Sequence, residues 1–460
     1  MKHKSTVVKA EIYNLGYCAE GIGRVLEGEN EGKTVFISNT TTGDIVEAET
    51  FSHKKNYLRA HLKTILQEGP SRIKPLCPLA KICGGCQWQH IEYNSQLEVK
   101  TSVIKDNLNK IAGLSDFQVI SAIASPEIWH YRSKVQFPLG ETKNSQRLLA
   151  GYYKPGTHDI VNIKYCPVQP EPFDKIVNEL RELHTTYKMK VYKESDHKGY
   201  LRHFVLRKSF YDNSLMATFI INSTIISPFI EQITENLVKK FPEIKGVTVN
   251  FNKQKTNVIF GSDSQTVYGN PFITEKINNT FYRISDRSFF QVNPLAARIM
   301  FDTIRKIIAD TGCHHKLLDV YAGGGAISLY LSDLFESIKA IELDKNACED
   351  ARANFNFNNV QNIDIINKSA EEAFKSLENI ESYDWIILDP PRSGCDRNVL
   401  EQCALSGCDN IIYVSCNPAT MARDVKILLE KGYKLSSVVP VDMFCHTYHI
   451  ESISFLKKND

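Results

Sequence analysis

The 460-residue sequence has no apolar run near the roughly 18 residues that a membrane-spanning helix needs. Its first ten residues are polar and basic, with no apolar stretch behind them, so no secretory leader is expected. Net charge is scarce too. The 55 Lys and Arg almost cancel the 53 Asp and Glu, leaving +2, so any basic surface for a nucleic acid has to be local. There is no internal repeat or low-complexity tract, which argues against a solenoid or a disordered chain. With no leader, the twelve cysteines read as thiols, metal ligands or catalysts of a cytoplasmic protein and not as disulfides. What remains, 42% hydrophobic and 23% charged, describes a globular chain of two to four domains.

Residues 1–68 consist of short strand-like runs broken by Gly16, Gly21, Gly23, Gly28 and Gly32, which predicts a small β-barrel or another small all-β module. Cysteine, proline and glycine then crowd residues 70–90, and residues 93–114 carry apolar positions at helical spacing (Leu97, Val103, Ile104, Leu108, Ile111). Strand-like and helical patterns alternate over 120–285, predicting a central α+β domain over 69–285. From 286 to 460 the alternation becomes regular. Strands are expected at 316–320, 338–343, 363–366, 385–388 and 410–415, each followed by a helix, with two adjacent strands near 434–443 and 450–457. This pattern predicts a doubly wound, Rossmann-like parallel sheet closed by an antiparallel hairpin.

Such sheets bind ligands beyond the carboxyl ends of their strands. The first strand runs into Tyr321-Ala322-Gly323-Gly324-Gly325, where glycines let the backbone approach a ligand at a helix N-terminus. The second ends at Glu342, 23 residues after Asp319, where a carboxylate can accept both hydroxyls of a ribose. A nucleoside pocket of this kind fits NAD or S-adenosylmethionine. The loop lacks the G-x-G-x-x-G spacing that suits a pyrophosphate, and the fourth strand ends in Asp389-Pro390-Pro391, so the methyl donor is favoured.

The fifth strand ends at Ser415-Cys416-Asn417-Pro418, which puts a thiol at the mouth of the same cleft. A lone cysteine is more often an inert buried residue, but this position suits a nucleophile. Carbon 5 of uracil is a poor nucleophile until a thiolate adds to carbon 6. Afterwards a base must remove the carbon 5 proton. Glu451, near the predicted active edge, is the candidate base.

The ordered set Phe289-Phe290-Gln291-Val292-Asn293, 319–325, Asp389-Pro390-Pro391-Arg392, Ser415-Cys416-Asn417-Pro418 and His449-Ile450-Glu451 resembles the RNA uracil-5 methyltransferases over nearly the whole chain. The resemblance implies that Gln291, Tyr321, Glu342 and Asp389 contact S-adenosylmethionine, that Cys416 is the nucleophile and that Glu451 accepts the proton. It implies that the N-terminal barrel is a TRAM domain and that a helix near 94–125 packs back onto the catalytic domain. Ala322 departs from the family pattern, standing where many members have cysteine, and Ala326 stands where they have a small polar residue.

Cys77, Cys83 and Cys86 have the spacing C-x5-C-x2-C, and Cys166 lies 80 residues beyond Cys86. Four thiolates suit either zinc or an iron–sulfur cluster. The spacing differs from the C-x3-C-x2-C of radical S-adenosylmethionine enzymes, and the fourth cysteine can cap a cluster. The resemblance implies a 4Fe–4S cluster, as in the ribosomal-RNA members, and the spacing and capping cysteine make it a structural or RNA-shaping element with no catalytic redox step. Residues 187–210 interleave seven Lys and Arg with five Tyr and Phe, and Tyr131-Arg132-Ser133-Lys134 adds a second basic run. Either an RNA surface or a solvated strand face accounts for the longer stretch. The expected activity is therefore C5 methylation of a 23S ribosomal-RNA uridine by a monomeric enzyme. A transfer-RNA target, a non-catalytic RNA-binding iron–sulfur protein and a nicotinamide oxidoreductase are the alternatives.

Overall fold

The computed structural model describes residues 5–17, 19–312, 314–376 and 383–459; the first four residues, part of the leader expectation, lie outside these. Strands β1 (Val7–Leu15), β2 (Glu20–Val25), β3 (Thr34–Ser38), β4 (Ile45–His53) and β5 (Tyr57–Gln67) close into a barrel of order β1-β2-β3-β5-β4. Alternate residues such as Val8, Ala10 and Ile12 point inward to a small apolar core. Glycine is required at 21, where a Cβ would lie 2.0 Å from the Thr40 hydroxyl. At the barrel exit the buried Asp44 carboxylate accepts from the Gly69 amide and pairs with Arg72, fixing the chain that leads to the cysteine-rich segment.

Helix α1 (Tyr93–Asn107) ends differently from the expected helix over 94–125. It passes into a wider turn over Leu108–Ala112, and Gly113, in the left-handed conformation (φ 74°), stops it. Residues beyond it pair in parallel with the far edge of the C-terminal sheet, Val119 with Val438 and Ile123 with Val441.

The central region is a mixed sheet of β6 (Lys134–Glu141), β7 (Leu148–Tyr153), β8 (Ile160–Asn162), β9 (Leu201–Lys208), β10 (Leu215–Ile221), β11 (Ile244–Phe251) and β12 (Asp263–Gly269). Its order is β12-β11-β10-β9-β6-β7-β8, and helices α2 (Phe173–Tyr187) and α3 (Pro228–Lys240) share its core. A hairpin of β13 (Phe272–Ile277) and β14 (Thr280–Ser285) follows.

This arrangement corrects the reading of 187–210 as one basic-aromatic surface. β9 lies inside the sheet, so Arg202, Phe204 and Arg207 are buried. Arg202 donates to the carbonyls of Asn252, Gln254 and Thr256 under the Tyr192 ring, and Arg207 to that of Ser288. Only Lys188, Lys190, Lys193 and Lys198 of that set stay exposed. Tyr131 is buried likewise, and burial beside Arg207 pushes Lys134 down to about 6.

The C-terminal region is β15 (Lys316–Val320), β16 (Ser337–Glu342), β17 (Ile363–Asn367), β18 (Trp385–Leu388), β19 (Asn410–Ser415), β20 (Tyr433–Val441) and β21 (Glu451–Lys458). Its order is β17-β16-β15-β18-β19-β21-β20, with β21 antiparallel to both neighbours. The order reverses between β15 and β18, the position where a doubly wound sheet opens its ligand crevice. Helices α4 (Pro294–Thr311), α5 (Ala326–Tyr330), α6 (Lys345–Phe357), α7 (Ala370–Ser376), α8 (Arg397–Leu405) and α9 (Pro418–Glu430) alternate with the strands. The sheet's two faces feed two separate apolar cores, and Ile104, Leu108 and Ala112 belong to the second.

α1 is tied to the loop between β20 and β21 by a buried ion pair. Lys100 Nζ lies 2.6 Å from Asp442, with both side chains withdrawn from solvent, and Tyr93 also donates to Asp442. Replacing Lys100 with Met would leave a buried carboxylate short of its cation, so the variant should lose about 3–5 kcal/mol in urea unfolding. A loss below about 1 kcal/mol would show that the Tyr93 hydroxyl suffices.

Candidate active site

The strand register assembles the site. Val320 pairs with Leu388, so Tyr321 and Asp389 leave adjacent strand ends together. Ser415 pairs with Ser452 across an antiparallel ladder, so the next step outward sets Cys416 opposite Glu451. Asn417 begins α9 as its N-cap, accepting from the Ala419 amide. Its Nδ2 and the Thr420 hydroxyl both donate to the Arg392 carbonyl, tying the Cys416 turn to the Asp-Pro-Pro-Arg turn.

One cavity of about 370 Å³ is lined by Gln291, Tyr321, Asp389, Cys416 and Glu451, with Asp319, Arg392 and His449 completing its polar wall. Glu342 borders its glycine loop and accepts from the amides of Gly323 (2.8 Å) and Asp344 (2.7 Å). A Cβ on Gly323 would meet nothing within 4 Å and one on Gly324 only the Phe289 carbonyl at 3.9 Å, so this backbone is open to a ligand. The Asp319 carboxylate is buried, takes the Ser328 hydroxyl on one oxygen and leaves the other without a partner. In the sequence Asp319 serves only to mark spacing, and Arg392 and His449 lie inside motifs with no role assigned to them. Their motif positions were the available signal.

The pocket sets three carboxyl groups, Asp319, Asp389 and Glu451, around one guanidinium, that of Arg392. Burial pushes Asp319 up to about 7 and Asp389 up to about 6, and burial beside Asp389 carries Glu451 well above the ordinary carboxyl range. Burial, then the Glu451 charge, push the Cys416 thiol up to about 11, while the Arg392 guanidinium pulls the other way. Burial and the Arg392 charge hold His449 down to about 4, so it is neutral at pH 7.

Cys77, Cys83, Cys86 and Cys166 line a second cavity of about 630 Å³, and Arg392, Phe444 and His449 stand in the walls of both. Burial pushes Cys86 up to about 11, with the neighbouring Cys83 and Cys77 thiols adding to the shift. The Gly85 amide donates to the Cys83 sulfur. Among the described residues no group of three or more His, Cys, Asp or Glu is arranged to hold a metal ion, so the expected metal site is not preformed here. The ten cysteines of the described residues are free thiols, and no described helix is long and apolar enough to cross a membrane.

Two family descriptions match the chain: tRNA (uracil-5-)-methyltransferase over residues 92–459 and the TRAM domain over residues 4–63. An uncharacterised RNA methyltransferase of Clostridium tetani is 35% identical over 459 residues, covering 98% of each chain. One from Bacillus cereus is 34% identical, covering 99% of this chain and 97% of its own. Among solved structures, the Pyrococcus abyssi tRNA (uracil-54, C5)-methyltransferase in complex with S-adenosyl-L-homocysteine matches with a TM-score of 0.76. It is 25% identical and covers 98% of this chain and 99% of its own.

Proposed function

Since the chain belongs to the tRNA (uracil-5-)-methyltransferase family, we propose that it moves a methyl group from S-adenosylmethionine to C5 of a uridine in 23S ribosomal RNA, with Cys416 as covalent nucleophile. The observation that carries this reading is the single cavity that holds Cys416, Glu451 and the open glycine loop together. The residues present fit the donor. Gly323 and Gly324 leave room for a nucleoside, Glu342 stands ready for its ribose hydroxyls, and Asp319 offers an unused buried oxygen to an amine. Gln291, Tyr321 and Asp389 line the remaining wall. Bound S-adenosylmethionine supplies a methyl group on positively charged sulfur, and that charge favours the ionised forms of Asp319, Asp389 and Glu451.

The Cys416 thiolate adds to carbon 6 of the uracil, and the C5=C6 electrons move onto the carbonyl at carbon 4 as an enolate. Carbon 5 then forms its bond to the methyl carbon as the sulfur–methyl bond breaks. Glu451 takes the carbon 5 proton, the C5=C6 bond re-forms and the thiolate leaves. Arg392 favours the thiolate electrostatically throughout. The thiolate of Cys416 and the carboxylate of Glu451 are both disfavoured at neutral pH, and both gain population as pH rises. The kcat/KM for RNA, which reports the steps through methyl transfer, should therefore climb from pH about 6.5 to about 9 with the Cys416 thiolate. A flat or falling profile would remove Cys416 ionisation from rate control.

For the central cavity, Cys77, Cys83, Cys86 and Cys166 offer thiol donors of the right kind for a non-catalytic 4Fe–4S cluster along one cavity wall, although the structure does not gather them into a metal-holding group. Iron and sulfide analysis of the purified chain, beside Cys86→Ser, tests that assignment. The RNA target is tested by methyl transfer to 23S and transfer RNA in parallel. A transfer-RNA uridine is the second reading, favoured by the likeness to the Pyrococcus tRNA enzyme. That likeness spans 98% of this chain, so the presence of the barrel does not distinguish the two targets.

A further inference from the structure

We infer that Tyr17, on the N-terminal barrel, is a positioning residue for the nucleophile of the C-terminal sheet; the inference rests on the reading of Cys416 above. The Tyr17 hydroxyl donates to the backbone carbonyl of Cys416 at 3.1 Å, a contact between residues 399 positions apart. Its ring packs on the second core of the C-terminal sheet and meets the Tyr448 ring edge-on, with centroids 5.5 Å apart. Tyr448 in turn lies 4.2 Å from the His449 ring, which lines the catalytic cavity.

The contact matters because Cys416 sits between two regular elements. β19 fixes its amide side, and α9 begins just beyond it at Asn417. The Asn417 amide donates to the Ser415 hydroxyl at 3.0 Å. The Cys416 carbonyl belongs to that same peptide unit, so it cannot turn without breaking a contact at each end. With the amide side held, the remaining freedom is rotation about the Cys416 N–Cα bond, which moves the carbonyl and the Cα–Cβ bond together. Pinning the carbonyl therefore also holds the thiol toward Glu451. One hydroxyl on another domain therefore aims the sulfur. It also makes the seating of the barrel, and of any RNA on it, a condition for a correctly directed thiolate.

Tyr17→Phe removes the hydroxyl and keeps the ring against Tyr448. In the full-length protein with saturating S-adenosylmethionine and RNA, this variant should lose about five- to tenfold in kcat, with KM for RNA and the unfolding temperature unchanged. Its single-turnover rate of adduct formation with RNA bearing 5-fluorouridine should fall by the same factor, because the adduct step precedes proton removal. Cys416→Ala runs beside it. An unchanged kcat and adduct rate in Tyr17→Phe, with Cys416→Ala inactive, would overturn the positioning role alone. A raised KM at unchanged kcat would also overturn it, making Tyr17 an RNA contact. Activity retained in Cys416→Ala would overturn the nucleophile and the positioning role together. If Tyr17→Phe unfolds early, the adduct rate measured well below its transition still decides between these outcomes.

Discussion

Cys416→Ala is expected to abolish methyl transfer, with a loss on the order of 10⁴-fold or more, because no other described thiol lines the cavity that holds Glu451. The chemistry sets the size of the effect. Without an adduct at carbon 6, carbon 5 carries too little electron density to attack a methyl sulfonium, so the whole covalent route is lost. Donor binding should survive. The Gly323 amide, Glu342 and Asp319 keep their contacts, and titration calorimetry with S-adenosylmethionine should give wild-type affinity. Transfer within tenfold of wild type would remove Cys416 from the mechanism. Loss of donor affinity as well would make it a structural residue of the pocket.

Glu451→Gln should be nearly as damaging and qualitatively different. A positioned general base contributes roughly 10²–10⁴-fold, and in the proposed reaction it acts after the carbon–carbon bond has formed. The amide cannot accept the carbon 5 proton, so the methylated adduct should accumulate. Denaturing gels would then show protein bound to RNA, with the donor's methyl label in the slow band. The band should vanish in the Glu451→Gln, Cys416→Ala double variant. Rapid turnover with no trapped species would assign proton removal to another group. No trapped species and no turnover would place Glu451 before the methyl step.

Legibility of the site followed sequence distance. Tyr321, Asp389 and Cys416 each stand one residue beyond a buried strand, and the runs of β15, β18 and β19 announce those strands without help from neighbours. The helix after residue 92 was legible in its apolar spacing over 93–114, which ends where Gly113 stops it, whereas the resemblance carried it on to 125. Arg202 and Arg207 misled for a related reason. Alternating basic and aromatic residues look alike on an exposed strand and on an interior one, and only the neighbours β10 and β6 bury them. The Lys100–Asp442 pair and the Tyr17–Cys416 contact join residues hundreds of positions apart through tertiary docking. Nothing local in either partner encodes them.

The central claim is substitution at carbon 5, and a hydrogen count tests it without identifying the RNA site. RNA carrying tritium at carbon 5 of its uridines should release one tritium to water for each methyl group gained, with both events lost in Cys416→Ala. Methyl transfer without tritium release would place the methyl on another atom and contradict the account.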